Sequence, residues 1–172
     1  MLRRLGPLLI ALLAVTFTVA DLAACGDKFL RVGRSSRMRA YASVHPSPIL
    51  VYAPRWTQKG IGDFEDILKH AGHKPLTVTT HAALVEAFGS RKYEVVITGY
   101  PDAAAVQKDL ATLPVRPELV PVVYKASKAD VSKAAATYRC VIRPEKMTPF
   151  EALADIDRVI ELRLKDRAAV SR

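Results

Sequence analysis

From Pro48 onward, short continuous apolar runs alternate with stretches in which apolar residues recur every three or four positions. Such runs fit strands buried on both faces, and the three-to-four spacing fits helices buried along one stripe. The pattern predicts strands at residues 49–52, 76–79, 93–98, 119–124 and 138–142. Between the first two, Ile61, Phe64, Ile67, Leu68 and Ala71 share one helical face, with Gly72 as a stop. Thr80 is placed to cap the next helix, whose Leu84 and Phe88 face inward and which Gly89 is expected to end. Pro101 and Asp102 open an alanine-rich helix reaching Leu110, and residues 127–136 are weakly amphipathic.

The last helix is the most strongly marked. Thr148-Pro149-Phe150-Glu151 is a capping box with proline at the first helical position. Phe150, Leu153, Ile156, Ile160 and Leu164 form its expected buried stripe. Five apolar strands alternating with helices predict an α/β domain. The expected architecture is a doubly wound, five-stranded parallel sheet with strand order 2-1-3-4-5.

The N-terminal region has a different character. Arg3 and Arg4 precede an uncharged apolar stretch from Leu8 to Ala20, and Leu22-Ala23-Ala24 leads into Cys25. This order resembles the signal peptide and lipobox of bacterial lipoproteins, with Asp21 as a departure. The resemblance implies cleavage after residue 24 and lipid on Cys25, hence a chain anchored at the cell envelope. The alternatives are plain secretion or an uncleaved anchor, although residues 5–20 fall short of the ~20 apolar residues a spanning helix needs. Residues 25–47 then read as a basic tether. Lys28, Arg31, Arg34, Arg37 and Arg39 face the single acid Asp27, and His45-Pro46-Ser47-Pro48 closes the segment. The domain is expected over residues 48–167, with 168–172 as a tail.

Removing Arg3, Arg4 and Asp21 from 26 basic and 17 acidic residues leaves 24 and 16, a net charge of +8. A surface of that sign suits anionic lipid, wall polymers or acidic proteins. An envelope address argues against nucleic acid. With Cys25 lipidated, Cys140 has no intrachain partner, and its apolar surroundings make it a small core residue.

Catalytic signals are few. Gly60 and Gly62 lack dinucleotide-loop spacing, and Ser90 and Ser127 lack a nucleophile-elbow context. His70, His73 and His81 have no acid or thiolate at ligand spacing; His70 and His73 instead flank a helix end, where a positive charge suits the dipole. No metal and no cofactor are expected. In open α/β sheets ligands gather beyond the carboxyl ends of the strands. The loops there carry Arg55, Trp56, Lys59, Tyr100, Lys125, Lys128, Arg143 and Lys146 against Asp102 and Glu145. They are the candidate rim for an acidic partner or anionic ligand.

Across residues 48–167, ILVYAP, YEVVITG, PVVYKAS, CVIRP and TPFEAL follow the element order of a response-regulator receiver domain. The chain resembles that family, and the resemblance implies a flavodoxin-like fold. It also marks what is missing. Ala53 and Pro54 stand where the family has its acidic pair, Gly99 where it has the phosphoacceptor, and Arg143 where it has lysine. Without carboxylates to hold Mg²⁺, phosphoryl transfer has no basis. Asp102, three residues past Gly99, is placed to cap the following helix. The expectation is a non-enzymatic module binding an envelope protein. An anionic small molecule or wall glycan, or an enzyme of another type, are the alternatives.

Overall fold

The computed structural model describes residues 41–170. Cys25 and the basic stretch up to residue 40 lie outside the described residues. Four strands, β1 (Pro48–Tyr52), β2 (Lys74–Val78), β3 (Val95–Gly99) and β4 (Glu118–Val122), form one parallel sheet in the order β2-β1-β3-β4. Among the described residues three helices alternate with the strands, α1 (Gln58–His70), α2 (His81–Ser90) and α3 (Tyr100–Ala111), and two follow β4 in succession, α4 (Lys128–Thr137) and α5 (Pro149–Val170).

The two-residue period of the strands sorts the core into two layers. Ile49, Val51, Val95, Ile97 and Val120 face Leu68 of α1 and Leu153, Ile156 and Ile160 of α5. Leu50, Val96 and Leu119 face Leu84 and Ala87 of α2 and Ala103, Val106 and Leu110 of α3. Each fully buried leucine, isoleucine or valine contributes ~1.5–3 kcal/mol of apolar transfer, and α5 sets Leu153, Ile156, Val159 and Ile160 in this layer. The register aligns Leu50 with Leu76 on one side and with Val96 on the other.

The expected fifth strand is reduced to one bridge, between Val122 and Ile142. Ile142 donates its N–H to Pro121 O at 3.0 Å and accepts from Val123 N at 2.8 Å. The next parallel bonds would run from residue 121 to the Cys140 carbonyl and from residue 144 to the Val123 carbonyl. Both positions are proline, which has no N–H to give. The ladder therefore stops after two bonds, and the sheet has four strands rather than five.

Helix ends show where sequence signals held and where they did not. Thr80 caps α2 through its hydroxyl as expected, and Thr57 and Ser127, with no cap expected of them, do the same for α1 and α4. Thr148 and Glu151 form the reciprocal capping box at α5. Gly72, at φ +93°, follows α1 in a conformation that favours glycine. Gly89, by contrast, lies inside α2, which runs on to Ser90. The ends of the α5 stripe, Phe150 and Leu164, are exposed, and α5 continues to Val170. α4 sets only Ala134 in the core, as its weak pattern implies.

Candidate functional site

The carboxyl ends of the strands carry the expected rim, and the structure divides it. On the β1–β3 side the positions are filled and paired. Ala53 is buried, and Arg55 reaches Asp102 at 3.3 Å. Trp56 packs edge-on against Phe64 with ring centroids 5.6 Å apart. A methyl at Gly99 would lie 3.6 Å from the Trp56 indole nitrogen and 3.7 Å from Asp102 Oδ2. The indole and the Arg55–Asp102 pair thus close over the end of β3. Asp102 makes no side-chain cap on α3, contrary to its expected role, although it sits in the first turn. Burial, with Asp102 as the second cause, raises the pKa of Tyr52 at the end of β1. Lys59 is engaged one turn along α1 with Asp63, at 2.5 Å.

The β4 side is different. Lys125 adopts φ +48°, and its N–H donates to Glu145 Oε1 at 2.7 Å, which ties the loop after β4 to the loop before α5. Its ammonium lies 5.2 Å from the centre of the Tyr124 ring, which is 60% exposed. In the second loop Arg143 donates its N–H to Met147 Sδ, and Lys146 donates to the Arg143 carbonyl. Among the described residues, Lys125, Lys128, Arg143 and Lys146 have no carboxylate partner. Tyr100, at the start of α3, is half-buried. Of the expected rim, the structure therefore leaves four unmatched cations beside an exposed tyrosine.

A second cluster, which no sequence motif marks, lies at the amino ends of the strands. Asp157 of α5 is nearly buried and accepts from the Tyr41 hydroxyl at 2.7 Å and the Ser43 hydroxyl at 2.5 Å. His73 is buried beside it, its Nε2 3.5 Å from Asp157 Oδ1. Ser47 donates its N–H to His73 Nδ1 at 3.4 Å. With Nδ1 accepting, the neutral ring carries its proton on Nε2, facing the carboxylate at a distance too long for a full hydrogen bond. Burial lowers the His73 pKa, and the Asp157 charge opposes this only in part. His73 is thus a neutral buried anchor, not a cation at a helix end. Ser43 also donates its N–H to Ala71 O at 2.8 Å, and Tyr41 stacks edge-on with Phe150. Residues 41–47, which the sequence pattern assigns to the tether, are held on the domain through these contacts. One signal was readable: Asp157 lies four residues after Leu153 and three before Ile160, an acid on a buried stripe.

His70 and His81 go elsewhere, His70 to the Asp66 carbonyl and His81 to Asp109 at 2.9 Å. Among the described residues no group of histidine, cysteine or carboxylate side chains has metal-site geometry. Cys140 is half-buried, and burial pushes its thiol up to about 12, so it is an inert wall rather than a nucleophile. Protein-family models and curated proteins give no match to the chain.

Proposed function

We propose that this chain is a lipid-anchored, non-catalytic binding domain of the bacterial envelope that engages an acidic protein through the β4 side of its strand-end rim. The observation that carries the reading is the set of four unmatched cations, Lys125, Lys128, Arg143 and Lys146, beside exposed Tyr124. A loop-to-loop hydrogen bond from Lys125 to Glu145 fixes part of this surface, so less order has to be gained on binding. Cationic groups with one aromatic neighbour suit acidic protein surfaces, where they steer association.

A receiver-like frame without receiver chemistry is part of the same proposal. Strand order β2-β1-β3-β4, with Ile142 bridged beside β4, supports the frame. Ala53, Pro54 and Gly99 at the acid positions support the loss of phosphoryl transfer. The reading of an anionic small ligand at the same edge is weakened by Trp56 and the Arg55–Asp102 pair, which close the β1–β3 side. Lipid on Cys25 would set the domain at the membrane, since multiple acyl chains hold a protein durably.

Capture from solubilised envelope membranes tests the reading, using wild type beside a Lys125→Glu, Arg143→Glu double variant. Acidic proteins retained by wild type, lost in the variant and released by salt support it. A set of retained proteins unchanged by the variant overturns it.

A further inference from the structure

The two edges of the sheet are guarded differently. On β2, Lys74 donates to Ser47 O and Val78 accepts from Ala53 N, so these residues face β1. The intervening Pro75 and Thr77 face outward, and Pro75 has no N–H to offer a further strand. At the opposite edge Ile142 turns both backbone groups to β4. Alternation along an extended chain then turns the N–H and C=O of Val141 outward. Neither group has a hydrogen-bond partner among the described residues.

Beside this edge is a cavity of about 270 Å³ between α4 and the Ile142 segment. Val131, Ala135, Cys140 and Val141 give it apolar walls, and no carboxylate lines it. Two arginines do. Arg139 is matched by Asp166 at 2.9 Å and Glu118 at 3.8 Å, whereas Arg143 has no acidic partner among the described residues. An unpaired backbone, an apolar hole beside it and an unmatched guanidinium are what strand addition uses for affinity and specificity.

We propose that this edge accepts an extended segment of an acidic protein, which pairs its backbone with Val141, seats one apolar side chain between Val131 and Ala135, and sets a carboxylate against Arg143. The inference rests on the reading of the domain as a protein-binding module and names how the partner is held. Charge selects the occupant. The chain's own stretch with Lys28, Arg31, Arg34, Arg37 and Arg39 has the wrong sign for this edge, and a second copy would set one basic rim against another.

The test is fluorescence anisotropy of short labelled peptides alternating leucine with aspartate, or leucine with lysine, titrated with the full chain in detergent. The acidic peptide is expected to bind at least ~10-fold more tightly than the basic one, with the gap closing in salt. Ala135→Trp fills the cavity from an exposed helical position and is expected to weaken the acidic peptide by ~10-fold or more, as does Arg143→Glu. Exchange of the Val141 amide slows in the complex. Equal binding of both peptides, or affinity unchanged by Ala135→Trp, overturns the inference. If Lys125→Glu with Lys146→Glu abolishes envelope-partner capture while Ala135→Trp leaves it intact, strand addition fails and the rim remains the binding surface.

Discussion

The Ser43 hydroxyl donates to Asp157 Oδ1 at 2.5 Å, across 114 positions of the chain. The contact joins the segment that enters β1 to the middle of the last helix. Tyr41 donates to the same carboxylate and His73 lies against it at 3.5 Å, so one acid ties the entry segment to the last helix. This arrangement makes the entry segment part of the folded domain.

Asp157→Ala is therefore expected to destabilise the domain by ~2–4 kcal/mol, because it leaves the Tyr41 and Ser43 hydroxyls without their charged acceptor. Chemical denaturation of wild type and variant measures this directly. Asp157→Asn keeps the shape and one acceptor and is expected to cost less. A loss under ~0.5 kcal/mol for the alanine variant would show that the network adds nothing to stability.

The same cluster makes stability depend on pH. Burial depresses the folded-state pKa of His73, so the unfolded chain binds its proton more readily than the folded one. The stabilisation is fully present above the ordinary histidine range near pH 6.5 and is lost as pH falls from there towards the depressed folded value. A proton on Nδ1 would also face the Ser47 N–H that now donates to it. Melting temperature followed between pH 7.5 and 5 is expected to fall in wild type and to fall less in His73→Gln. Identical slopes in the two proteins would remove His73 as the cause.

Two glycines that look alike in sequence separate in the fold. A methyl at Gly72 would meet only Pro46, at ordinary contact distance, but φ there is +93°, so Gly72→Ala is expected to cost ~1–3 kcal/mol through backbone strain. Gly99 sits at φ −62°, and a methyl there would touch Trp56 and Asp102 at ordinary distances. Gly99→Ala is accordingly expected to stay within ~0.5 kcal/mol of wild type. Thermal melts of the pair decide whether the backbone at each position requires glycine.

How far the sequence could be read depends on the range of each interaction. Capping and periodicity are local, so Thr80 and Thr148 are legible as helix starts in the sequence, whereas the same role of Thr57 and Ser127 shows only in the fold. The apolar runs show four strands for the same reason. The fifth fails because Pro121 acts on Cys140 across the sheet, a pairing that is invisible until the register is known. Glu94 likewise reads as a polar position at a strand start, yet it binds Arg163 at 2.8 Å and Arg167 at 2.9 Å, 69 and 73 positions away. The rim was legible as a set of basic loop residues, but not its division, which depends on Arg55 meeting Asp102.

The proposed lipid anchor is tested at Cys25. Cys25→Ala is expected to move the protein from the membrane fraction to the soluble one, or to block processing, and to abolish incorporation of labelled fatty acid. Labelled, membrane-bound variant protein would end the lipoprotein reading.

The division of the rim yields the sharpest expectation. Arg55 is already matched by Asp102, in a pair whose arginine is exposed and whose carboxylate is largely covered, so its charge contributes little to the field seen by an incoming acid. Arg143 and Lys125 have no such match, and both belong to loops fixed at the Lys125–Glu145 contact. Arg143→Glu with Lys125→Glu is therefore expected to weaken an acidic partner by ~1–3 kcal/mol, with the loss shrinking in salt. Arg55→Glu alone is expected to cost less than half of that. A matched reversal outside the domain, Arg34→Glu with Arg37→Glu, controls for charge without position. Binding titrations of the three variants at low and high salt separate the cases. If the Arg34 and Arg37 reversal abolishes binding while the Arg143 and Lys125 reversal leaves it intact, recognition belongs to the basic stretch preceding the domain, and the unmatched cations of the rim are a solvated edge.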